Sequence, residues 1–183
     1  MNPAQATVTA FLARWEAVAG SWQCVESRGR VPEAVEAYCA SLGGATVAVA
    51  PALADLPWGE AATAYRFGGS SGAERVGVSE ADSAIAETGT LVLRSGADHP
   101  VTLNFLPEHH VVLLEVARLV PTPEAAWERM LAAGPLPRAV NWITGPSRTA
   151  DVEQTLQLGA HGPRAVHVLL IGGNGLDTEK ADA

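Results

Sequence analysis

The chain has 183 residues, of which 48% are hydrophobic and 17% charged, and its formal net charge at pH 7 is -8. This length fits one domain with a proper core better than two, so we expect a single domain over residues 1–183. The acidic balance and the lack of a basic stripe exclude a nucleic-acid-binding function, which depends on neutralising phosphates.

Targeting signals and cofactor motifs are not evident in the sequence. The longest apolar runs, at 111–114 and 166–171, are far shorter than the ~20 residues that cross a bilayer. Because residues 1–5 lack the features of an export signal, we expect a cytoplasmic protein without a membrane span. Cys24 and Cys39 form no Cys-x-x-Cys motif, so we expect both to be buried and this chain alone to hold no iron–sulfur cluster or zinc ion.

The first quarter of the chain predicts two helices and two strands. Apolar residues at helical spacing predict an amphipathic helix that stops at Gly20. A short strand over 22–26 follows, and then a helix that begins at Pro32 and ends at Gly43. The β-branched run 45–49 is typical of a buried parallel strand, so this segment predicts one βαβ unit.

Residues 51–75 are predicted to be a flexible connection, because proline, glycine and serine are concentrated there. The glycine cluster at 68–72 could cradle a phosphate, but it lacks the Lys-Ser/Thr ending of a Walker loop.

The middle of the chain predicts strands, and we interpret 75–120 as a strand-rich antiparallel or mixed insertion. A link containing Gly89 has hairpin length. The strands are predicted at 83–86, 90–93, 110–115 and 118–120.

The last third predicts a helix that begins at Pro123 and two further buried strands at 140–144 and 166–171. We expect Trp15, Trp127 and Trp142 to be mostly core residues, Trp58 to be the most exposed tryptophan, and residues 172–183 to fray. The predicted fold class is α/β, with a mostly parallel sheet flanked by helices.

The loop after the 140–144 strand is the first candidate for a ligand site. If it follows a parallel strand and opens a helix, its free N–H groups lie at the carboxyl edge of the sheet, where anions bind. Gly145, Ser147, Arg148 and Thr149 are the candidate ligand-binding residues, since hydroxyls and a guanidinium suit carboxylate or phosphate. The alternative is an ordinary βα turn with a capping box that starts at Asp151.

Four sequence blocks, in this order, resemble the lactate utilization protein C family. They are ADSAIAETGTLVL at 81–93, LPEHHV at 106–111, ITGPSRTADVE at 143–153, and LGAHGP at 158–163 with HVLL at 167–170. The resemblance implies a LUD domain, whose fold is similar to the NagB/RpiA/CoA-transferase group. It also implies a role in the oxidation of L-lactate to pyruvate beside partner subunits that carry iron–sulfur clusters.

The turn in the first block supplies further candidates. The resembled superfold includes CoA-transferases that use a glutamate, so Glu87 is a candidate nucleophile or base. The alternative is a structural or ligand-positioning role, because acids at such turns commonly accept bonds from backbone N–H groups. Thr88, Gly89 and Thr90 are candidate ligand-binding residues opposite the Arg148 loop.

The histidines do not predict a metal site. His109 and His110 are adjacent on a predicted strand and would point to opposite faces, and no third ligand is evident by spacing. We expect His110 to face the ligand cleft as a ligand-binding residue. His161 either ends a loop or faces the Arg148 loop across the cleft.

These observations predict a protein that binds a small anionic ligand at the carboxyl edge of its sheet, as a component of an L-lactate oxidation system. Whether the chain is itself catalytic stays open. One alternative is a stand-alone transferase or ligase acting on a CoA thioester, a sugar phosphate or a folate. The other is a non-catalytic assembly subunit.

Overall fold

The computed structural model describes residues 3–59, 64–150, 156–158 and 161–173. The helices in these ranges are α1 (Pro3–Ala17), α2 (Val31–Ser41), α3 (Thr102–Phe105) and α4 (Pro123–Ala132). The strands are β1 (Ser21–Val25), β2 (Val47–Val49), β3 (Tyr65–Phe67), β4 (Val76–Glu80), β5 (Ser83–Ile85), β6 (Thr90–Arg94), β7 (His109–Glu115), β8 (Leu119–Val120), β9 (Val140–Ile143), β10 (Arg148–Ala150), β11 (Leu156–Leu158) and β12 (Ala165–Ile171).

A six-stranded parallel sheet, in the order β1-β12-β7-β4-β2-β3, forms the centre of the fold. Its central strands β7 and β12 are nearly continuous apolar runs that are buried on both faces, as strands inside a parallel sheet must be. The predicted α/β class with a mostly parallel sheet is confirmed.

The predicted βαβ unit is present, but its two strands are not neighbours in the sheet. β1 and β2 are parallel, but β12, β7 and β4 lie between them, so α2 crosses over three strands. The chain then goes outward from β2 to the edge strand β3 and returns to β4 on the other side of β2. This reversal is a topological switch point, and ligands of open α/β sheets bind beside such points at the carboxyl ends of the strands.

A second, four-stranded sheet has the order β8-β5-β6-β9. The predicted hairpin between β5 and β6 is confirmed, and β6 is antiparallel to both β5 and β9. The strand at 140–144 is therefore not part of the parallel sheet, and this condition for the predicted anion site is not met. The strand-rich insertion is also less continuous than predicted, because β4 and β7 belong to the six-stranded sheet.

Three clusters of apolar side chains pack the helices and the two sheets against one another. α2 covers one face of the six-stranded sheet, α1 and the four-stranded sheet cover the other face, and α4 covers the outer face of the four-stranded sheet. Phe11 and Trp15 of α1 are both fully buried and stacked, with ring centroids 5.9 Å apart. The predicted amphipathic N-terminal helix is thus a central element of the core.

The tryptophans differ from the sequence prediction at three positions. Trp127 and Trp142 are 40% and 39% exposed rather than core, and their ring centroids lie 6.1 Å apart. Trp58 is half-buried, and its indole N–H donates to the Leu53 carbonyl oxygen at 2.6 Å. On α4 it is Ala126 and Met130 that pack on the sheet, which leaves Trp127 on the outer side.

The glycine cluster at 68–72 is an ordered turn in the part of the connection that the structure describes. The Glu74 carboxylate accepts bonds from the Ser70 hydroxyl and the Ser71 amide, both at 2.9 Å, and pairs with Arg66 at 2.7 Å. The Arg66 hydrogen bond lowers the pKa of Glu74 to about 2. Together with strand β3, this turn replaces much of the predicted flexible link, although residues 60–63 lie outside the described ranges.

Across the described ranges, none of the helices has the length and apolar character that crossing a membrane requires. Most of the predicted frayed tail, residues 174–183, lies outside those ranges.

Candidate functional site

The loop around Arg148 continues into a strand rather than a helix. Residues 148–150 form β10, which pairs antiparallel with β11, so the helix start predicted after Arg148 is wrong at 148–150 and 156–158. The Ser147 amide donates to the Pro163 carbonyl oxygen at 2.9 Å and is not free for a ligand. Arg148 is exposed, and Thr149 follows it in β10. Residues 151–155, with the proposed capping box, lie outside the described ranges.

Gly89 and Gly145 bring their loops against the end of α1. Their φ angles are +65° and +84°, which favour glycine. A Cβ on Gly89 would lie 2.8 Å from the Arg14 Cβ, and one on Gly145 would lie 2.9 Å from the Val18 carbonyl oxygen. This close packing gives both glycines a structural role.

A chain of hydroxyl groups links the two candidate loops. The Thr88 hydroxyl donates to Thr90 Oγ1 at 2.7 Å, and Thr90 Oγ1 lies 2.7 Å from Thr144 Oγ1. Thr90 is buried and Thr88 is exposed. The predicted proximity of the Thr88 turn to the Gly145 loop is therefore found in the structure.

Gly145, Ser147 and His161 line one cavity of about 230 Å³. This cavity lies beside Pro163 and Val166, where β12 begins, so it opens at the amino edge of the six-stranded sheet. The sequence argument for an anion site used the carboxyl edge, and that argument does not apply to this location.

His110 is fully buried in β7 and does not face a cleft as expected. Its Nε2 lies 2.7 Å from the Ser79 hydroxyl, and burial lowers its pKa to about 3. His167 is also buried, with Nδ1 2.8 Å from the Ser21 hydroxyl, and burial lowers its pKa to about 4. Both imidazoles are therefore neutral near pH 7 and act as uncharged hydrogen-bonding groups in the core.

His109 and Glu87 occupy different environments. His109 Nδ1 lies 2.9 Å from the Tyr38 hydroxyl, and burial lowers its pKa. Glu87 is exposed on the β5–β6 turn, and its amide donates to the Pro121 carbonyl oxygen at 3.1 Å. Neither residue lines the cavity beside Gly145 or the cavity at the carboxyl ends of the strands.

The carboxyl ends of β4 and β7 carry a network of charges that sequence reasoning missed. Arg28 pairs with Glu80 and, at 2.9 Å, with Glu115. Arg118 pairs with Glu80 at 3.1 Å and donates to the Ala81 carbonyl oxygen at 3.0 Å. The bond to Glu80 raises the pKa of Arg28. This network ties the carboxyl ends of β4 and β7 to each other and to the segment that follows β1.

Beside this network lies a cavity of about 180 Å³, which we call the carboxyl-edge cavity. It is lined by Glu80, Ala81, Asp82, Arg94, His99 and Arg118. Arg94 Nε lies 3.1 Å from Asp82 Oδ1, and among the described residues no hydrogen bond uses the Arg94 Nη groups. Asp82 Oδ2 is buried and accepts no hydrogen bond from the described residues. An open guanidinium fork beside an unsatisfied carboxylate oxygen can bind a ligand that both accepts and donates hydrogen bonds.

The cavity could not be found from sequence spacing, because its residues come from distant segments that only the fold brings together. The one available signal was Asp82, which belongs to the first block of the family resemblance.

The two cysteines pack on opposite faces of the six-stranded sheet. The sequence has two cysteines, and Cys24 packs in the cluster on the α1 face of the sheet, whereas Cys39 packs on the α2 face. Within the described ranges, no group of three or more His, Cys, Asp or Glu residues could hold a metal ion.

Comparison with known proteins places the chain in a family. A family model described as LUD domain matches residues 70–171, which is more than half of the chain. The chain belongs to the LUD domain family. The match includes both sheets' central strands and every residue of the carboxyl-edge cavity.

Curated relatives of this LUD domain agree with the resemblance seen in the sequence. Lactate utilization protein C of Geobacillus sp. (strain WCH70) is 36% identical over 100 residues, which cover 52% of this chain and 42% of that protein. Uncharacterized protein NMB1437 of Neisseria meningitidis serogroup B is 41% identical over 96 residues, which cover 52% of this chain and 41% of that protein. The matches thus span about two fifths of the length of these relatives.

A solved structure shares the fold. It is described as the crystal structure of a duf162 family protein from Deinococcus radiodurans, and it covers 94% of this chain with a TM-score of 0.71. Since the sequence identity is 22%, this likeness supports the α/β fold alone.

Proposed function

We propose that this LUD domain is a component of an L-lactate oxidation system, and that it binds a small anionic ligand in the carboxyl-edge cavity. The names of several relatives support the lactate assignment. The observation that carries the ligand proposal is the Arg94 guanidinium, whose Nη groups are not engaged by the described residues.

The size and chemistry of the cavity favour a small hydroxy acid. Its volume of about 180 Å³ is below the range of about 300–1,000 Å³ that drug-sized ligands fill. A guanidinium binds a carboxylate through two parallel N–H donors, which gives both affinity and orientation. Asp82 Oδ2 would accept a hydrogen bond from a ligand hydroxyl, which L-lactate supplies.

The ligand test is thermal unfolding of the purified chain with L-lactate, with pyruvate, and with acetate at equal ionic strength. At ten times the dissociation constant, a ligand that binds the native state alone stabilises it by about 1.4 kcal/mol, or about 3–6 °C for a domain of this size. We expect this shift with L-lactate, a smaller one with pyruvate because it has no hydroxyl to donate to Asp82, and loss of the L-lactate shift in Arg94→Gln. Arg138→Gln removes an exposed charge outside the cavity and is the matched control. Equal shifts with acetate, or an unchanged shift in Arg94→Gln, would reject this site.

We propose further that the iron–sulfur clusters of the system reside on partner subunits, because this chain offers no cysteine set for them.

The test of the proposed role in lactate oxidation is growth on L-lactate of a strain that lacks the gene, complemented by the wild type or by Arg94→Gln at equal protein level. We expect growth with the wild type and a growth defect with the variant. Full growth of the variant would instead favour a non-catalytic assembly subunit.

A further inference from the structure

A large cleft opens at the amino edge of the six-stranded sheet, opposite the carboxyl-edge cavity. It has two parts, of about 230 and about 800 Å³, which share Phe105, His161 and Gly162. We call it the amino-edge cleft. The proposed lactate function does not use this cleft, so a ligand bound in it would be independent of that function.

The smaller part has the walls of a site for a flat ring. Phe105 and Trp142 both line it, and although they are large apolar side chains they remain 41% and 39% exposed. Aromatic side chains that are left open to solvent in a cavity stack well on a planar ligand. A volume of about 230 Å³ suits one ring system, because whole drug-sized ligands need about 300 Å³ or more.

Asn104 supplies a polar group at the base of this part. The residue is 4% exposed and lines the cavity, yet its side chain makes no hydrogen bond to any residue in the described ranges. Its amide atoms are not among the buried atoms that lack a partner, so they remain open to solvent and to a ligand in the cavity. An amide has both donors and an acceptor, which match the edge of a nucleobase.

The larger part is lined by the arginines of the cleft, Arg75 and Arg164. Arg75 and Arg164 each lie 3.0 Å from a different oxygen of Glu108, and the bond to Arg75 lowers the pKa of that carboxyl. Glu74 also lines this part and pairs with Arg66. Two arginines and two carboxylates therefore line this part, so its formal charges balance and an anion would depend on the donors that the ion pairs leave free.

Arg164 is the residue that could hold an anion. Its side chain is 58% exposed, and among the described residues it bonds only to Glu108, through Nη1. Its remaining N–H donors are therefore available at the mouth of the cleft, and guanidinium donors match the geometry of a phosphate.

We propose that the amino-edge cleft binds a nucleoside phosphate. The base lies between Phe105 and Trp142 with its edge at Asn104, and the phosphate lies at Arg164. In this arrangement a single ligand uses the Asn104 amide, two exposed aromatic rings and an open guanidinium.

The test uses AMP, adenosine and inorganic phosphate as probes with the whole chain, and it measures tryptophan fluorescence and calorimetric binding. We expect AMP to quench the fluorescence and to bind at least about ten-fold more tightly than adenosine, because a hydrogen bond to a charged group is strong. In Trp142→Phe we expect the quench to vanish while calorimetric binding persists. Trp127→Phe, which replaces the neighbouring ring outside the cleft, is the matched control and should keep the quench.

Two further variants separate binding from folding. Arg164→Gln should weaken AMP binding about ten-fold and leave adenosine binding unchanged, whereas Arg129→Gln, an exposed arginine of α4, should change neither. Asn104→Leu should weaken both nucleoside and nucleotide binding without lowering the melting temperature, which a merely structural amide would lower. The absence of AMP binding at millimolar concentration, equal affinities for AMP and adenosine, or a quench that survives Trp142→Phe would each overturn the proposal.

Discussion

Two buried histidines should make the stability of this fold depend steeply on pH below 6.5. Burial lowers the pKa of His110 to about 3 and that of His167 to about 4, from 6.5 in the unfolded chain. Below pH 6.5 these histidines therefore bind protons in the unfolded chain but stay neutral in the native state until the pH approaches their folded pKa values. The stability that the two neutral imidazoles contribute is fully present above pH 6.5, and it is lost as the pH falls toward the folded pKa values.

The size of the loss at pH 5.0 follows from the unfolded chain alone, since both folded pKa values lie lower. A pH of 5.0 lies about 1.5 units below the pKa of a histidine in the unfolded chain. At about 1.36 kcal/mol per unit, each histidine lowers the free energy of unfolding by about 2 kcal/mol. The free energy of unfolding should therefore fall by about 4 kcal/mol between pH 7.5 and 5.0 because of His110 and His167. The pKa of His109 is also lowered by burial and acts in the same direction.

The assay is urea unfolding, followed by tryptophan fluorescence, at several pH values from 7.5 to 5.0. His110→Gln and His167→Gln should each reduce the slope of the unfolding free energy against pH by about one proton, whatever they do to the stability at pH 7.5. A free energy of unfolding at pH 5.0 within about 1 kcal/mol of that at pH 7.5 would refute the reasoning.

Three other substitutions test the packing and the turns. Gly145→Ala should destabilise the fold by at least about 1 kcal/mol more than Gly43→Ala in urea unfolding, because both glycines have positive φ but only Gly145 lies against α1. Trp15→Ala should cost about 3–5 kcal/mol in the same assay, since the indole is fully buried. Glu74→Ala should speed hydrogen exchange at the Ser71 amide, which donates to the lost carboxylate, and unchanged exchange would contradict an ordered turn.

Local sequence patterns predicted the positions of helices and strands better than they predicted which strands pair. Helical spacing located α1, and the turn at Gly89 located the β5–β6 hairpin, because both depend on neighbouring residues. The sheet to which β9 belongs could not be predicted, since an apolar run of four or five residues has the same pattern in either sheet. Trp127 was assigned to the core for a similar reason, because periodicity indicates an apolar face but not whether another layer covers it.

The sequence predicted the type of candidate site but not the residues that form it. The rule that ligands bind at the carboxyl edge led to an anion site, but it was applied to the strand before Gly145, which belongs to the antiparallel sheet. Arg94, His99 and Arg118 carry no recognisable motif, because they converge only once the strand order is known. Asp82 stood in a resembled block, yet its sequence neighbours could not show that Arg94 lies beside it.

The two edges of the parallel sheet present different chemistry, and this difference constrains how the protein can work. At the carboxyl edge, ion pairs use most of the charged groups and leave a small polar cavity at Arg94. At the amino edge, aromatic rings and Arg164 remain open around a much larger cleft. Because rigid strands join the two edges, ligands bound at both would lie at fixed positions on opposite ends of the same strands. Such ligands cannot react directly with each other within one chain, so any chemistry that links them requires another subunit or a coupled change in the sheet.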